Sequence, residues 1–318
     1  LRTLADWIDA GAPRGAGPDP LSGAAARPVP DWPLGEPSLV LAMKEPQTIP
    51  ASGALAYQYY PLAGPLDHDL WIKAVDIRPG NANVVHHVFL MDFPLPPDKN
   101  ERNRFSDQMS AIRKAPENVN LWDWHPGRTP NFLPNRVAIR VPKGHYLVLE
   151  IHYNASGKPE TDRTQVGLYL DSGKPPPLEL RHRRKERRDF VIPPHRRVSL
   201  GPFPMTDFDK DVCLVRLRPH MHYRGAAIFA YALYPDGRRE ALLRVHRYDF
   251  NWQYVYDYAT PKLLPAGTKI SMRAVFDNTD SNPANPDPRK TVSYGLGSND
   301  EMFFLSASYF DSPGSCVN

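Results

Sequence analysis

Apolar and polar positions alternate in short runs along most of this chain, and turn residues separate the runs. Between residues 54 and 171 the runs are ALAYQYYPL, LWIKAVDI, NVVHHVFLMDF, RVAIRVP, HYLVLEIHYN and QVGLYLD. From residue 189 onward they are DFVIPP, VCLVRLRPHMHY, AAIFAYALYP, ALLRVHRY, WQYVYDY, KISMRAVFDN and EMFFLSASYF. Their length, β-branched and aromatic content and period of two predict strands. A helical period occurs in one place, LRTLADWIDAGAP, where Leu1, Leu4, Trp7 and Ile8 fall on one side and Gly11 and Pro13 stop the turn. The pattern predicts an all-β protein: two tandem antiparallel β-sandwiches, jelly-roll-like, behind a short N-terminal helix.

Breaks in the pattern set the expected boundaries. Residues 1–13 form the helix, and 14–37, rich in Gly, Pro and Ala, read as a linker. Residues 38–175 make the first sandwich and 190–318 the second. Between them, 176–189 contain prolines and then RHRRKERR, Arg181 to Arg188, which reads as a basic interdomain linker. A sharper reading makes that run a docking patch for an acidic redox partner.

Composition narrows the class. Proline accounts for 36 of 318 residues, which excludes a long-helix protein because proline lacks the interior N–H that a helix needs. Thirteen Phe, 15 Tyr and 6 Trp exclude a disordered polyelectrolyte. The formal charge of +4 implies no general affinity for nucleic acid. No apolar run is long enough for a membrane span in this chain. Cys213 and Cys316 lack CxxC spacing, so neither a zinc ribbon nor a haem-attachment site is encoded. The start at Leu1 reads as that of a piece processed or cut from a longer precursor.

Histidine placement carries the chemistry. His86 and His87 lie in an otherwise apolar strand, where an imidazole costs free energy unless it is hydrogen-bonded or ligated. His220 and His222 are two apart, which in a strand puts both rings on one face. Adjacent residues of a regular strand point to opposite faces, so joint ligation by His86 and His87 needs an irregular backbone. His152 ends another strong strand, and His145, an odd separation away, faces the other side and is excluded. Met302, in SNDEMFFL, packs as core or supplies a thioether. Two imidazoles and a soft sulfur favour copper, Cu(I) above all.

VVHHVFLM, then the HY-ended strand, then PHMHYRG, then DEM resembles the copper type II, ascorbate-dependent monooxygenase family, which includes the peptidylglycine α-hydroxylating and dopamine β-monooxygenases. The order and approximate spacing match from about Trp32 to Tyr309, and NWQYVYDY…LLPAGT…DNTDSNPANPDP…DEM looks closer to bacterial members than to the animal enzymes. The resemblance implies two mononuclear coppers, one on His86, His87 and His152 and one on His220, His222 and Met302, the second being catalytic. It implies hydroxylation of a C–H bond with O₂ and an external reductant such as ascorbate. LRTLADWIDAGAP is similar to the last helix of a small c-type cytochrome, which implies a haem c electron donor and an extracytoplasmic setting, periplasmic or secreted.

Substrate features diverge from the peptide enzymes. Arg218 precedes the HxH pair where the family's peptide enzymes hold a substrate carboxylate. Phe304 and Ser306 stand where those enzymes have Asn and Tyr, which points to an apolar or aromatic small organic substrate. Cys213 and Cys316 both fall in the second sandwich, so a disulfide closing a long loop is feasible if the chain is exported. Phe303 stands where many relatives have a cysteine, so the family's usual disulfide there is missing. His125, in WDWHPG, reads as a loop histidine with a packing role or, on the sharper reading, as a cleft residue or stray ligand, and Tyr153, Tyr223 and Arg224 flank ligands. The alternative function is a non-enzymatic copper-binding or electron-relay protein that keeps the ligands without a substrate pocket.

Overall fold

The computed structural model describes residues 2–18, 31–53, 55–94, 120–171, 178–295, 297–312 and 314–316. Two β-sandwiches follow one another. In the first, a five-stranded sheet runs in the order Leu39–Ala42, Gln165–Leu170, Leu70–Arg78, Val137–Val141, Leu178–Glu179. It packs on a four-stranded sheet ordered Gln58–Ala63, Tyr146–Tyr153, Val85–Phe93, Asn120–Trp124. The second sandwich pairs the sheet Arg181–Arg187, Phe303–Asp311, Val212–His220, Tyr256–Leu264 with the sheet Arg197–Asp207, Lys269–Asp277, Gly225–Leu233, Arg239–Val245. Ladders between these strands are antiparallel except where Leu178–Glu179 joins Val137–Val141.

Alternation explains which face each strand buries. Val88 and Leu90 enter the first sandwich's core, whereas Phe89 and Met91 form a smaller cluster on the opposite face. Strand Val212–His220 is buried on both faces: Val212 and Leu214 join the second core, and Cys213 and Val215 join the first. A register shift between Leu214 and Arg216 then adds one residue. Leu217 therefore returns to the second core, and Arg216 and Arg218 face the first sandwich. Their guanidiniums lie over Trp122, at 4.7 Å, and Phe89, at 4.6 Å. A disulfide joins Cys213 to Cys316 on the same side, with Cα atoms 5.5 Å apart.

Three expected boundaries change. Arg181–Arg187 is not linker but an edge strand paired along its length with Phe303–Asp311, so the second sandwich begins at Arg181 rather than 190. The charged side chains are compatible with a strand because they cover aromatic rings. Arg184 sits 3.8 Å from the Phe304 ring centroid, Arg187 sits 4.2 Å from Phe203, and Arg183 lies beside both Phe208 and Tyr309. Charge on an edge strand also blocks pairing with another chain. The prolines before this run, at 175–177, lie outside the described residues.

At the other end, residues 31–37 belong to the first sandwich. Trp32 and Pro37 pack so closely on Gly167 that a Cβ there would meet each at 2.7 Å, and Arg78 both pairs with Asp31 and stacks over Trp32. Residues 19–30 of the expected linker lie outside the described residues. Helix Arg2–Asp9 closes at Gly11 as its sequence predicts, and none of its residues is buried.

Candidate metal centres

The first cluster is built across two neighbouring strands. His87 stands directly opposite His152 in the ladder between Val85–Phe93 and Tyr146–Tyr153. Parity places His87 with Phe89, and His152 with Val148, on the face turned away from the first core. A register shift between Val85 and His87 makes His86 a bulge residue, and the bulge lets it turn to the same side as its neighbour. One ring nitrogen from each of His86, His87 and His152 lies within 4.8 Å of the other two. The ring centroids are 5.1 to 5.4 Å apart, and Tyr57 stacks on His152 at 4.8 Å.

All three imidazoles are held neutral. Burial holds His87 well below the ordinary histidine value, reinforced by His152, His86, Arg218 and His125. Burial, with His86 beside it, takes His152 down to about 4, and the Leu55 backbone opposes this only in part. His86 is lowered by burial and then by His125. Neutral imidazole is the form that binds a metal. The buried Nδ1 of His152 meets no partner in hydrogen-bond geometry, and the Nδ1 atoms of His86 and His87 stand 3.0 Å apart. Three neutral nitrogen donors with no carboxylate among them fit a borderline transition metal such as copper. His145, by contrast, is engaged 2.8 Å from Asp92.

His220 and His222 come together by a turn rather than by strand alternation. The strand ends at His220, opposite Phe304, and Met221 begins a turn held by Tyr248, whose hydroxyl donates to the Met221 carbonyl and accepts from the Met221 N–H. The two rings are 5.1 Å apart and perpendicular at 89°. His220 Nδ1 lies 2.7 Å from Gln253 Oε1, and His222 Nδ1 lies 3.1 Å from the Asp300 carbonyl. Both partners are acceptors, so each Nδ1 carries the proton and each Nε2 keeps its lone pair. Burial keeps His220 well below the ordinary value and lowers His222.

Glu301 ties this turn to the segment that runs through Met302 into strand Phe303–Asp311. Its fully buried carboxyl accepts from the N–H of His222 at 2.8 Å and of Arg224 at 2.6 Å. Burial pushes Glu301 up to about 7, against the opposing pull of these N–H groups, the Arg224 charge and the Met302 N–H. Met302 is itself buried, next in sequence to Glu301 and two residues before Phe304, which stacks on His220 at 4.6 Å. Two neutral imidazoles are a donor set that a thioether such as that of Met302 would complete for Cu(I).

A cleft with about 420 Å³ of empty space, part of it open solvent, opens beside the first cluster. His86, His87, Phe89 and Asp123 line it from the first sandwich, and Arg218, Phe250 and Gln253 line it from the second. Arg218 makes no ion pair among the described residues, and burial lowers its pKa. Phe250 sits with its ring edge toward His222 at 5.2 Å. Burial pushes the Asp123 carboxyl up, but Arg128, Arg218, His125 and Arg216 outweigh it and hold the group below its usual range.

Sequence reasoning missed Phe250, Gln253 and Glu301. Phe250 comes from a loop thirty residues beyond the HxH pair, and Gln253 lies in WQYVYDY, expected as strand along its length but paired only from Tyr256 onward. Glu301 was visible only as the residue before Met302. Of the flanking residues, Tyr153 serves the first core instead, donating to Asp162 at 2.9 Å, and Tyr223 packs on Phe250 at 4.7 Å.

No protein-family model and no curated protein matches the chain. Among solved structures it is similar to the major capsid protein P2 from bacteriophage PM2, at 9% identity over 87% of this chain and 99% of that one, with a TM-score of 0.37. It is also similar to PNGF-II, at 8% identity over 86% of this chain and 64% of that one, with a TM-score of 0.30. The all-β sandwich assignment rests on the ladders described above.

Proposed function

We propose that the chain is a copper-dependent monooxygenase that hydroxylates a C–H bond of a small organic molecule with O₂ and two electrons from an external reductant, the second oxygen atom leaving as water. The observation that supports this reading is the cluster of three neutral imidazoles, two of which line a cleft whose other wall carries Gln253, the hydrogen-bond partner of His220. His86, His87 and His152 would hold one copper, and His220, His222 and Met302 the other. Copper at these positions supplies the one-electron steps and the affinity for O₂ that no side chain offers.

The remaining work falls to the polypeptide. Gln253 and the Asp300 carbonyl fix the tautomers and ring planes of His220 and His222. Glu301 sets the turn between those rings and the Met302 segment. Arg218, lying over the rings of Phe89 and Phe304, offers a cation to an anionic substrate end, while Phe89 and Phe250 exclude water from the apolar remainder.

Oxygen consumption tests the reading. With copper and reductant present, uptake should depend on an aromatic or apolar carboxylic acid and yield hydroxylated product in equal amount. Two bound coppers with no substrate-dependent uptake across such a panel would favour the electron-relay alternative. The haem c donor and the extracytoplasmic location stay part of this proposal.

A further inference from the structure

We propose that His125 is a fourth imidazole donor at the three-histidine site, an inference that rests on that site binding copper. Its position follows from the ladder. Strand Asn120–Trp124 flanks Val85–Phe93 on the side opposite Tyr146–Tyr153, with Phe89 facing Asp123 and Val88 facing Trp124. The ladder ends at Trp124; continued by one step, its register sets His125 opposite His87, which already has His152 on its other flank. The His125 ring now stands outside the 4.8 Å group of the other three, so ligation brings it inward. Parity puts Asp123 and His125 on the cleft face with Phe89 and His87, and both Asp123 and His125 line that cleft beside His86 and His87.

The ring presents the nitrogen that ligation needs. His125 Nδ1 lies 3.1 Å from the Pro126 carbonyl, an acceptor, so the proton sits on Nδ1 and the lone pair on Nε2. Nε2 is buried and has no hydrogen-bond partner among the described residues, in a residue only 8% exposed. A buried polar atom without a partner is uncommon and calls for a cause. A packing role explains the ring, whose edge meets Tyr254 at 5.9 Å, but leaves this nitrogen unexplained.

The loop that carries His125 is held in place. Gly127 has φ +84°, and a Cβ there would meet the Trp252 ring at 2.8 Å, so the second sandwich presses on the turn just past His125. A fourth imidazole favours the oxidised ion relative to a site of two imidazoles and a thioether. The two coppers would then differ in redox preference, the three-strand site being the readier electron donor.

The test isolates the first site in a His220→Ala/His222→Ala chain loaded with one equivalent of Cu(II), read by X-ray absorption and EPR. The expected result is four imidazole nitrogens in this parent and three after His125→Ala or His125→Phe, with Cu(II) binding weakened about tenfold or more. His125→Phe keeps a ring against Tyr254, so a loss there reports ligation rather than packing. Three nitrogens in the parent, or parent-like spectra and affinity in both His125 variants, would overturn the proposal. Failure of the underlying site looks different: no copper retained by the parent, or a His152→Ala change with no effect on binding.

Discussion

Replacing Glu301 by alanine should unfold the second sandwich at a markedly lower temperature. The carboxyl is fully buried and accepts the N–H groups of His222 and Arg224 at 2.8 and 2.6 Å. Truncation leaves both donors buried without an acceptor, at about 1–3 kcal/mol each. It also removes the strongest of the opposite charges acting on Arg224, the largest fully buried side chain among the described residues, whose guanidinium is otherwise held by Asn278 and the carbonyls of Asn299 and Asp287. Losing one member of such a buried set costs about 3–5 kcal/mol in total. For a domain of this size that is a fall of roughly 10 °C or more in Tm. Glu301→Gln keeps one acceptor and should lose about half as much. Differential scanning calorimetry of the three proteins measures the effect. A Glu301→Ala protein melting within about 2 °C of wild type would refute the reasoning, because no clamp of this kind could be so cheaply lost.

Other outcomes follow from the same geometry. Met302→Ala should abolish substrate-dependent O₂ uptake while the three-histidine copper stays bound; full activity with metal analysis unchanged would remove Met302 from the site. Cys213→Ser/Cys316→Ser, which opens a loop with a sequence separation of 103, should destabilise the fold by about 2–4 kcal/mol in urea titrations. The Asp69 carboxylate is held below its usual range first by the Lys143 backbone N–H and then by Arg140. A carboxyl depressed in the folded state contributes stability above its unfolded value of about 3.9 and loses it as pH falls through the folded value. Urea midpoints of wild type and Asp69→Asn should therefore differ at pH 6 and converge as the pH is lowered past that window.

Local alternation made the strands legible, and with them the all-β class. The ligand residues stood out because imidazoles interrupt apolar runs. What alternation could not reveal were the points where it breaks. The bulge at His86 turns two consecutive histidines to one side, and the shift between Leu214 and Arg216 aims Arg216 and Arg218 at the first sandwich instead of their own core. Charge misled at Arg181–Arg187, since guanidiniums lying over aromatic rings stabilise a strand that composition marks as solvated linker. Gln253 and Phe250 reach the His220 turn through tertiary packing alone, which no local period encodes.

Copper stoichiometry tests the central claim most directly. Wild-type protein, reconstituted and freed of loose metal, should retain two coppers per chain with two distinct Cu(II) EPR signals. His86→Ala/His87→Ala should lose one signal and one copper, and His220→Ala/His222→Ala the other. Retention of one copper or none by the wild type, or two retained by either double variant, would contradict the account.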